Sequence, residues 1–266
     1  MRRPGPMLAA GMLACLALAA CTPPDAHVPP FAKVPYQAFS RQAVVAIALR
    51  EWRLFGSRVL EEDIALPARL ERAPGLWQRV GEYWWLGLNA DAPEVGWTGK
   101  HDGHGREFPP SQDGAYAWSA AFVSYIMRIA GAGRRFPYSA DHATYINAAK
   151  REALGEDRRW LVTAERPDAY APVSGDLICR GRGRASGLRY ADLPTGGLFP
   201  AHCDIVVGIE PGRLAVVGGN VVDGVTLRFV PVGPDGRLAG ADGAVLDPAN
   251  PWMAVLRLQT ADGPSG

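Results

Sequence analysis

The second half of the chain carries a hydroxyl, an imidazole, a carboxylate and an amide in an order suited to nucleophilic catalysis. Ser119 lies near the start of a helical pattern, and His202 begins a strand-like run that also contains Asp204. Asn220 follows two glycines after the next such run. A serine hydroxyl is a weak nucleophile until an adjacent base accepts its proton and a third polar group orients that base. These residue types therefore support acyl transfer, provided that the fold brings them together.

Three segments of this region resemble the CHAP and NlpC-type papain-like amidase superfamily. They read Ala117-Trp118-Ser119-Ala120-Ala121-Phe122-Val123, Gly175-Asp176-Leu177-Ile178 and Ala201-His202-Cys203-Asp204-Ile205-Val206-Val207, with Gly218-Gly219-Asn220 after the last. In that superfamily the helix motif reads Trp-Cys-Ala-Ala-Phe-Val, and the next strand begins with Gly-Asp. The strands after it carry a histidine and then Gly-Gly-Asn or a similar polar residue. The version with serine in the cysteine slot is similar to a family of bacterial envelope lipoproteins of unknown function (DUF2272-like). The resemblance spans roughly residues 113–231.

The resemblance implies a papain-like α+β fold, with N-terminal helices followed by an antiparallel sheet. It places Ser119 at the nucleophile position, His202 at the general base and Asn220 at the residue that orients the base. Asp204 is an alternative orienting residue, because positions i and i+2 of a strand share a face. We expect Ser119 Oγ and a ring nitrogen of His202 to lie about 3 to 4 Å apart.

Serine at position 119 departs from the family pattern, in which the nucleophile is a thiolate. A hydroxyl cannot be held ionised near neutral pH as a thiolate can, and so it needs stronger base assistance. The resemblance implies an envelope hydrolase that acts on an amide or peptide bond in cell-wall material. The alternative is a non-catalytic binding or scaffold module that retains the papain-like cleft.

Two side chains near Ser119 are candidates for ligand binding. Trp118 precedes the serine, and His142 lies in the first turn of the next predicted helix, beside Ser139. The more ordinary interpretation of His142 is a residue of the capping turn.

Two further polar motifs have plainer interpretations. His101 and His104 flank Asp102 in a glycine-rich loop, but their spacing matches no standard metal-ligand frame. We interpret this loop as solvated and expect no metal and no other cofactor. Arg180, Arg182 and Arg184 alternate with small residues and cysteine, which favours a solvated strand edge. A basic face for an anionic ligand is the alternative.

The elements that must position these residues are helical first and strand-like afterwards, which predicts an α+β class. Apolar residues at helical spacing predict helices over 37–55, 76–88, 115–130 and 139–154, with Ser40 as an N-cap. Period-two patterns predict strands over 176–179, 203–209, 214–217, 225–230 and 253–258. The aromatic residues expected in the core are Trp77, Tyr83, Trp84 and Trp85.

Cys179 and Cys203 are disulfide candidates, since an oxidising compartment favours pairing. If the strands that carry them pair antiparallel, the two residues can face each other at a bridgeable distance. Two buried thiols are the alternative.

The first residues predict a bacterial lipoprotein. Arg2 and Arg3 precede an uncharged run of 14 residues, 7–20, which is shorter than the roughly 20 residues that a membrane span requires. The run ends in Leu18-Ala19-Ala20-Cys21, which resembles a lipobox and implies cleavage before Cys21 and lipidation of that cysteine. An ordinary secretory signal is the alternative. Thr22 follows instead of aspartate, which resembles the outer-membrane sorting pattern of Gram-negative lipoproteins and implies a location on the outer membrane that faces the periplasm.

Composition fits one globular domain behind a tether. We predict a signal peptide at 1–20, a proline-rich tether at 21–35, a domain at 36–260 and a flexible tail at 261–266. Hydrophobic residues make up 48% of the chain, which excludes extensive disorder. Without Arg2 and Arg3, 26 basic residues face 27 acidic ones, so nucleic-acid binding is disfavoured. The expected partners are the membrane, through the lipid, and peptidoglycan or an envelope protein.

Overall fold

The structure is a computed structural model that describes residues 38–60, 69–240 and 243–260. The predicted signal peptide, the lipidation site Cys21, the tether and the tail at 261–266 lie outside the described residues.

Four α-helices occur in the described chain, and each matches a predicted one. They are α1 Arg41–Leu54, α2 Leu76–Gly87, α3 Ser119–Ile129 and α4 His142–Ala153. Ser40 caps α1 as predicted, because its hydroxyl accepts the N–H of Ala43 at 3.1 Å. Helices α3 and α4 start later than predicted. A 3-10 helix, Pro110–Tyr116, precedes α3, and Asp141 is the N-cap of α4.

Seven strands of the described chain form one sheet behind these helices. They are β1 Val59–Leu60, β2 Val162–Glu165, β3 Leu177–Gly181, β4 Ala201–Glu210, β5 Arg213–Gly218, β6 Thr226–Pro231 and β7 Trp252–Leu258. Their order across the sheet is β1-β6-β5-β4-β3-β7-β2. Every described strand pair is antiparallel except β1 with β6, so the predicted α+β class is confirmed.

The sheet corrects two sequence-based interpretations. Strands β1 and β2 were not predicted, because two and four residues are too short to show a period-two pattern. Strand β3 lies between β4 and β7 and is therefore central. The interpretation of Arg180 as part of a solvated strand edge was wrong, since Arg180 lies on this central strand and its Nε is buried.

The helices bury an aromatic core against the sheet. Tyr83 and Trp84 are at most 1% exposed, as expected, and Tyr83 packs edge-on against Phe122 of α3. Trp85 was expected in the core but is 68% exposed. It follows two buried residues on α2, and its position on the helix turns it to the outer face.

The predicted disulfide is present. Cys179 and Cys203 are opposite each other in the antiparallel pair β3–β4, with Cα atoms 4.2 Å apart, and both are fully buried. The bond therefore ties β3 to β4 between His202 and Asp204, the two predicted site residues of β4.

Candidate active site

Ser119 and His142 begin helices α3 and α4, and both line a cleft of about 760 Å³. A cleft of this size is within the range that accommodates small molecules or peptide segments. Its charged and amide lining consists of Glu71, Glu94, Asp113, Asp141, Arg182, Arg184, Asn220 and Asp223.

Ser119 combines a hydrogen-bonded hydroxyl with a helix N-terminus. Its Oγ lies 2.7 Å from His142 Nε2. The N–H of Phe122 bonds the carbonyl of Trp118 at 2.9 Å and is the first such bond of α3. The N–H groups of residues 119–121 therefore have no partner within the helix. Such groups can stabilise an oxyanion beside the serine.

His142 is a neutral imidazole with both ring nitrogens engaged. Burial lowers the pKa of His142 well below its usual value, the proximity of His202 lowers it further, and Asp204 partly opposes the shift. Nδ1 is hydrogen-bonded to the hydroxyl of Tyr145, whose pKa burial raises well above 10. If Nδ1 carries the ring proton, Tyr145 accepts it and Nε2 is free to accept the proton of Ser119. The other tautomer reverses both bonds.

A second imidazole lies beside the first. The rings of His142 and His202 make an edge-on contact, with centroids 5.4 Å apart. Nε2 of His202 is 3.0 Å from Asp204 Oδ1, and Arg228 donates to Asp204 Oδ2 at 2.5 Å. Burial alone would raise the pKa of Asp204, but Arg228 and His202 outweigh it and hold the pKa well below its usual value. Asp204 is therefore a carboxylate.

The arrangement differs from the expected one in the hydrogen-bond partner of Ser119 and in the place of Asn220. The hydrogen-bond partner of Ser119 is His142, not His202. Asp204, the alternative orienting residue, is bonded to His202, because the two side chains share a face of β4. Asn220 lines the cleft but makes no hydrogen bond to His202 in the described structure. It lies beyond the end of β5 with φ at 56°, in the left-handed region.

Trp118 was expected to contact a ligand, but its side chain is only 1% exposed. Its indole N–H instead donates to Glu71 Oε2 at 2.5 Å, and Glu71 lines the cleft. Burial raises the pKa of Glu71 to about 7, with smaller contributions from the negative charges of Asp223 and Asp113. Trp118 therefore positions a titratable carboxyl of the cleft wall.

The loop with His101 and His104 is held by its own hydrogen bonds. Thr98 Oγ1 lies 3.1 Å from His101 Nδ1, and Asp102 accepts the N–H groups of His104 and Arg106. The described residues include no group of three His, Cys, Asp or Glu side chains placed to bind a metal.

One known protein family matches most of the chain. Residues 71–258 match a family model described as an uncharacterized protein conserved in bacteria, DUF2272. That segment is more than half of the 266 residues. The chain belongs to the DUF2272 family. Ser119, His142 and His202 all fall within the DUF2272 region. No curated protein and no solved structure matches the chain.

Within the part of the DUF2272 chain that the structure describes, no helix is both long enough and apolar enough to cross a bilayer.

Three residues of the site were not predicted from the sequence. Tyr145 follows His142 by three positions on α4, a spacing that places both on one helix face and could have indicated the pair. Arg228 lies on β6, two strands from Asp204, and Glu71 reaches the cleft from a short 3-10 helix. No local pattern indicates the last two.

Proposed function

We propose that this chain is an envelope hydrolase that cleaves an amide or peptide bond in cell-wall material, with Ser119 as nucleophile and His142 as its base. The observation that carries the proposal is the 2.7 Å hydrogen bond between Ser119 Oγ and His142 Nε2 in an open cleft. The N–H groups of residues 119–121, which have no partner within α3, supply the third element that acyl transfer needs.

The reaction has two steps. His142 Nε2 accepts the proton of Ser119 while Oγ forms a bond to the substrate carbonyl carbon, and the first N–H groups of α3 stabilise the resulting oxyanion. When the C–N bond breaks, the imidazolium returns the proton to the leaving amine, and an acyl-serine remains. Water then attacks the ester with His142 again as base. The released carboxylic acid and the restored Ser119 hydroxyl complete the balance.

Tyr145 and Asp204 act through His142 in this mechanism and are positioning residues. Tyr145 accepts the Nδ1 proton and so selects the tautomer with a free Nε2 lone pair. The carboxylate of Asp204, next to His202, partly opposes the lowering of the pKa of His142 and so favours the imidazolium that forms during the reaction.

The resemblance to CHAP and NlpC-type papain-like amidases supports the choice of bond and substrate. The order of the motifs, a helix followed by antiparallel strands of which β4 carries His202, agrees with that superfamily, and membership of DUF2272 agrees with the more specific resemblance. The proposed base differs from the superfamily pattern, since His142 lies on a helix. The assignment of a cell-wall substrate rests on the resemblance alone, because one fold supports many functions.

We also propose that the protein is anchored at Cys21 to the outer membrane and faces the periplasm. The lipobox-like Leu18-Ala19-Ala20-Cys21 supports this location. Replacement Cys21→Ser should give an unprocessed or soluble protein in cell fractionation. A processed mutant of normal size in the membrane fraction would contradict the anchor.

A binding module that retains the cleft is the second candidate. The observation that favours it is the depressed pKa of His142, since a weakly basic imidazole is a poor general base near neutral pH. The serine in place of a thiol points the same way.

Digestion of purified peptidoglycan separates the two candidates. The chain should release new amino groups, and Ser119→Ala should abolish this release while the control Ser111→Ala retains it. Ser111 is exposed and does not line the cleft. Retention of peptidoglycan fragments without any release of amino groups would leave only the binding module.

A further inference from the structure

Two arginines line the same cleft as Ser119 and His142. Arg182 and Arg184 are both exposed, and within the described chain neither side chain forms an ion pair or a hydrogen bond. An arginine offers five N–H donors in a planar fork that matches a carboxylate. Both guanidinium groups are therefore available to a ligand in the cleft.

The backbone that carries these arginines is fixed in position. The N–H of Arg182 bonds the carbonyl of Pro200 at 2.9 Å, and the N–H of Ala185 bonds the carbonyl of Arg182 at 2.9 Å. A Cβ at Gly181 would lie 1.9 Å from the carbonyl oxygen of Ala185, so the turn packs closely onto the end of β3. The turn therefore presents its side chains from a defined place next to the start of β4.

The positive charge of this turn also acts on His142, the candidate catalytic base. Burial lowers the pKa of Arg180, the positive charges of Arg228 and Arg182 lower it further, and the carboxylate of Asp204 partly opposes the shift. Arg182 also contributes to the lowered pKa of His142. An anionic ligand group here would relieve the repulsion among these cations.

Carboxylates elsewhere in the cleft restrict where an anion can bind. Glu94 and Asp141 line the cleft without an ion pair in the described structure. Asp113, which also lines it, is already paired with Arg72 at 2.7 Å. Among the charged side chains that line the cleft, only Arg182 and Arg184 attract a carboxylate, whereas the unpaired acids repel it, so these charges favour one orientation of a bound substrate.

We propose that Arg182 and Arg184 form a carboxylate-recognition site in the substrate cleft, so that the preferred substrate is a peptide with a free carboxylate near the bond presented to Ser119. This inference rests on the proposed function for the place of the scissile bond. Recognition of the carboxylate itself does not require catalysis.

The test measures binding in the full chain carrying Ser119→Ala, which prevents turnover. The probes are soluble fragments that a glycan-cleaving muramidase releases from purified peptidoglycan, used directly and after carbodiimide coupling of their carboxylates to methylamine. Calorimetry should detect binding of the untreated fragments. The double variant Arg182→Gln/Arg184→Gln should weaken this binding by at least about tenfold.

The matched control is Arg151→Gln/Arg158→Gln, which removes the same charge from exposed arginines outside the cleft. The control should bind as the parent does, and methylamidated fragments should bind weakly to every variant. Equal binding by the cleft double variant, equal binding of methylamidated fragments, or no binding of either probe would overturn the inference. Binding as predicted without cleavage by the unmodified chain would refute only the hydrolase. Cleavage unchanged by Arg182→Gln/Arg184→Gln would refute only the carboxylate site.

Discussion

Ser119 Oγ is hydrogen-bonded to Nε2 of His142, whereas Nε2 of His202 is bonded to Asp204. The two imidazoles touch edge to ring, so the site contains two histidines with different partners. The histidine on the helix is hydrogen-bonded to the candidate nucleophile, and the histidine on the strand contacts that ring and is hydrogen-bonded to a buried carboxylate.

Replacement Tyr145→Phe should reduce kcat by about tenfold or more, because the tautomer of His142 is then no longer fixed. KM should change little, since Tyr145 is fully buried and does not line the cleft. The control is Tyr138→Phe, which removes a buried hydroxyl that has no hydrogen-bond partner in the described structure. Steady-state kinetics with peptidoglycan fragments measures both variants. Equal kcat in the two would contradict the role of Tyr145.

Replacement Gly218→Ala should disrupt the pair of His202 and Asp204. A Cβ at position 218 would lie 2.1 Å from Asp204 Oδ1 and 3.1 Å from His202 Nε2, so the carboxylate must move. We expect a loss of about 1 to 3 kcal/mol in the free energy of unfolding, together with reduced activity. Urea unfolding and amine release measure the two effects. Gly187→Ala, where a Cβ meets nothing within 4 Å, is the control. Unchanged stability and activity would show that the pair tolerates displacement.

Replacement Glu71→Gln should change the pH dependence of stability. The folded-state pKa of Glu71 is about 7, above its ordinary value of 4.5. Below pH 4.5 the carboxyl is protonated in both states, and between the two values the unfolded chain releases a proton that the folded chain keeps. Its contribution to stability therefore falls as pH rises from about 4.5 to 7 and stays low above.

Glutamine cannot titrate, so the melting temperature of the variant minus that of the parent should be more positive at pH 8 than at pH 4.5. Differential scanning calorimetry at both values measures this difference. Glu156→Gln, at an exposed position without an ion pair in the described structure, serves as the control. A difference that does not vary with pH would mean that Glu71 titrates as an ordinary carboxyl.

The sequence predicted the elements that carry the site better than the contacts within it. Helix α3 and the pair Cys179–Cys203 were predictable, because a long apolar stripe and two cysteines on adjacent strands are local patterns. The bond between Ser119 and His142 depends on two helix N-termini that meet in space, and no spacing along the chain indicates that meeting. Asp204 was predictable from strand periodicity, whereas its partner Arg228 lies 24 residues away on β6.

Covalent labelling of Ser119 tests the central claim most directly. A fluorophosphonate probe reacts with serine hydroxyls that a neighbouring base activates. We expect the intact chain to gain one phosphonyl group, the probe less hydrogen fluoride, on the peptide containing Ser119. We also expect Ser119→Ala to abolish the labelling and His142→Gln to slow it by at least about tenfold. Absence of labelling in a chain with an unaltered circular dichroism spectrum, or labelling that survives Ser119→Ala, would contradict the claim.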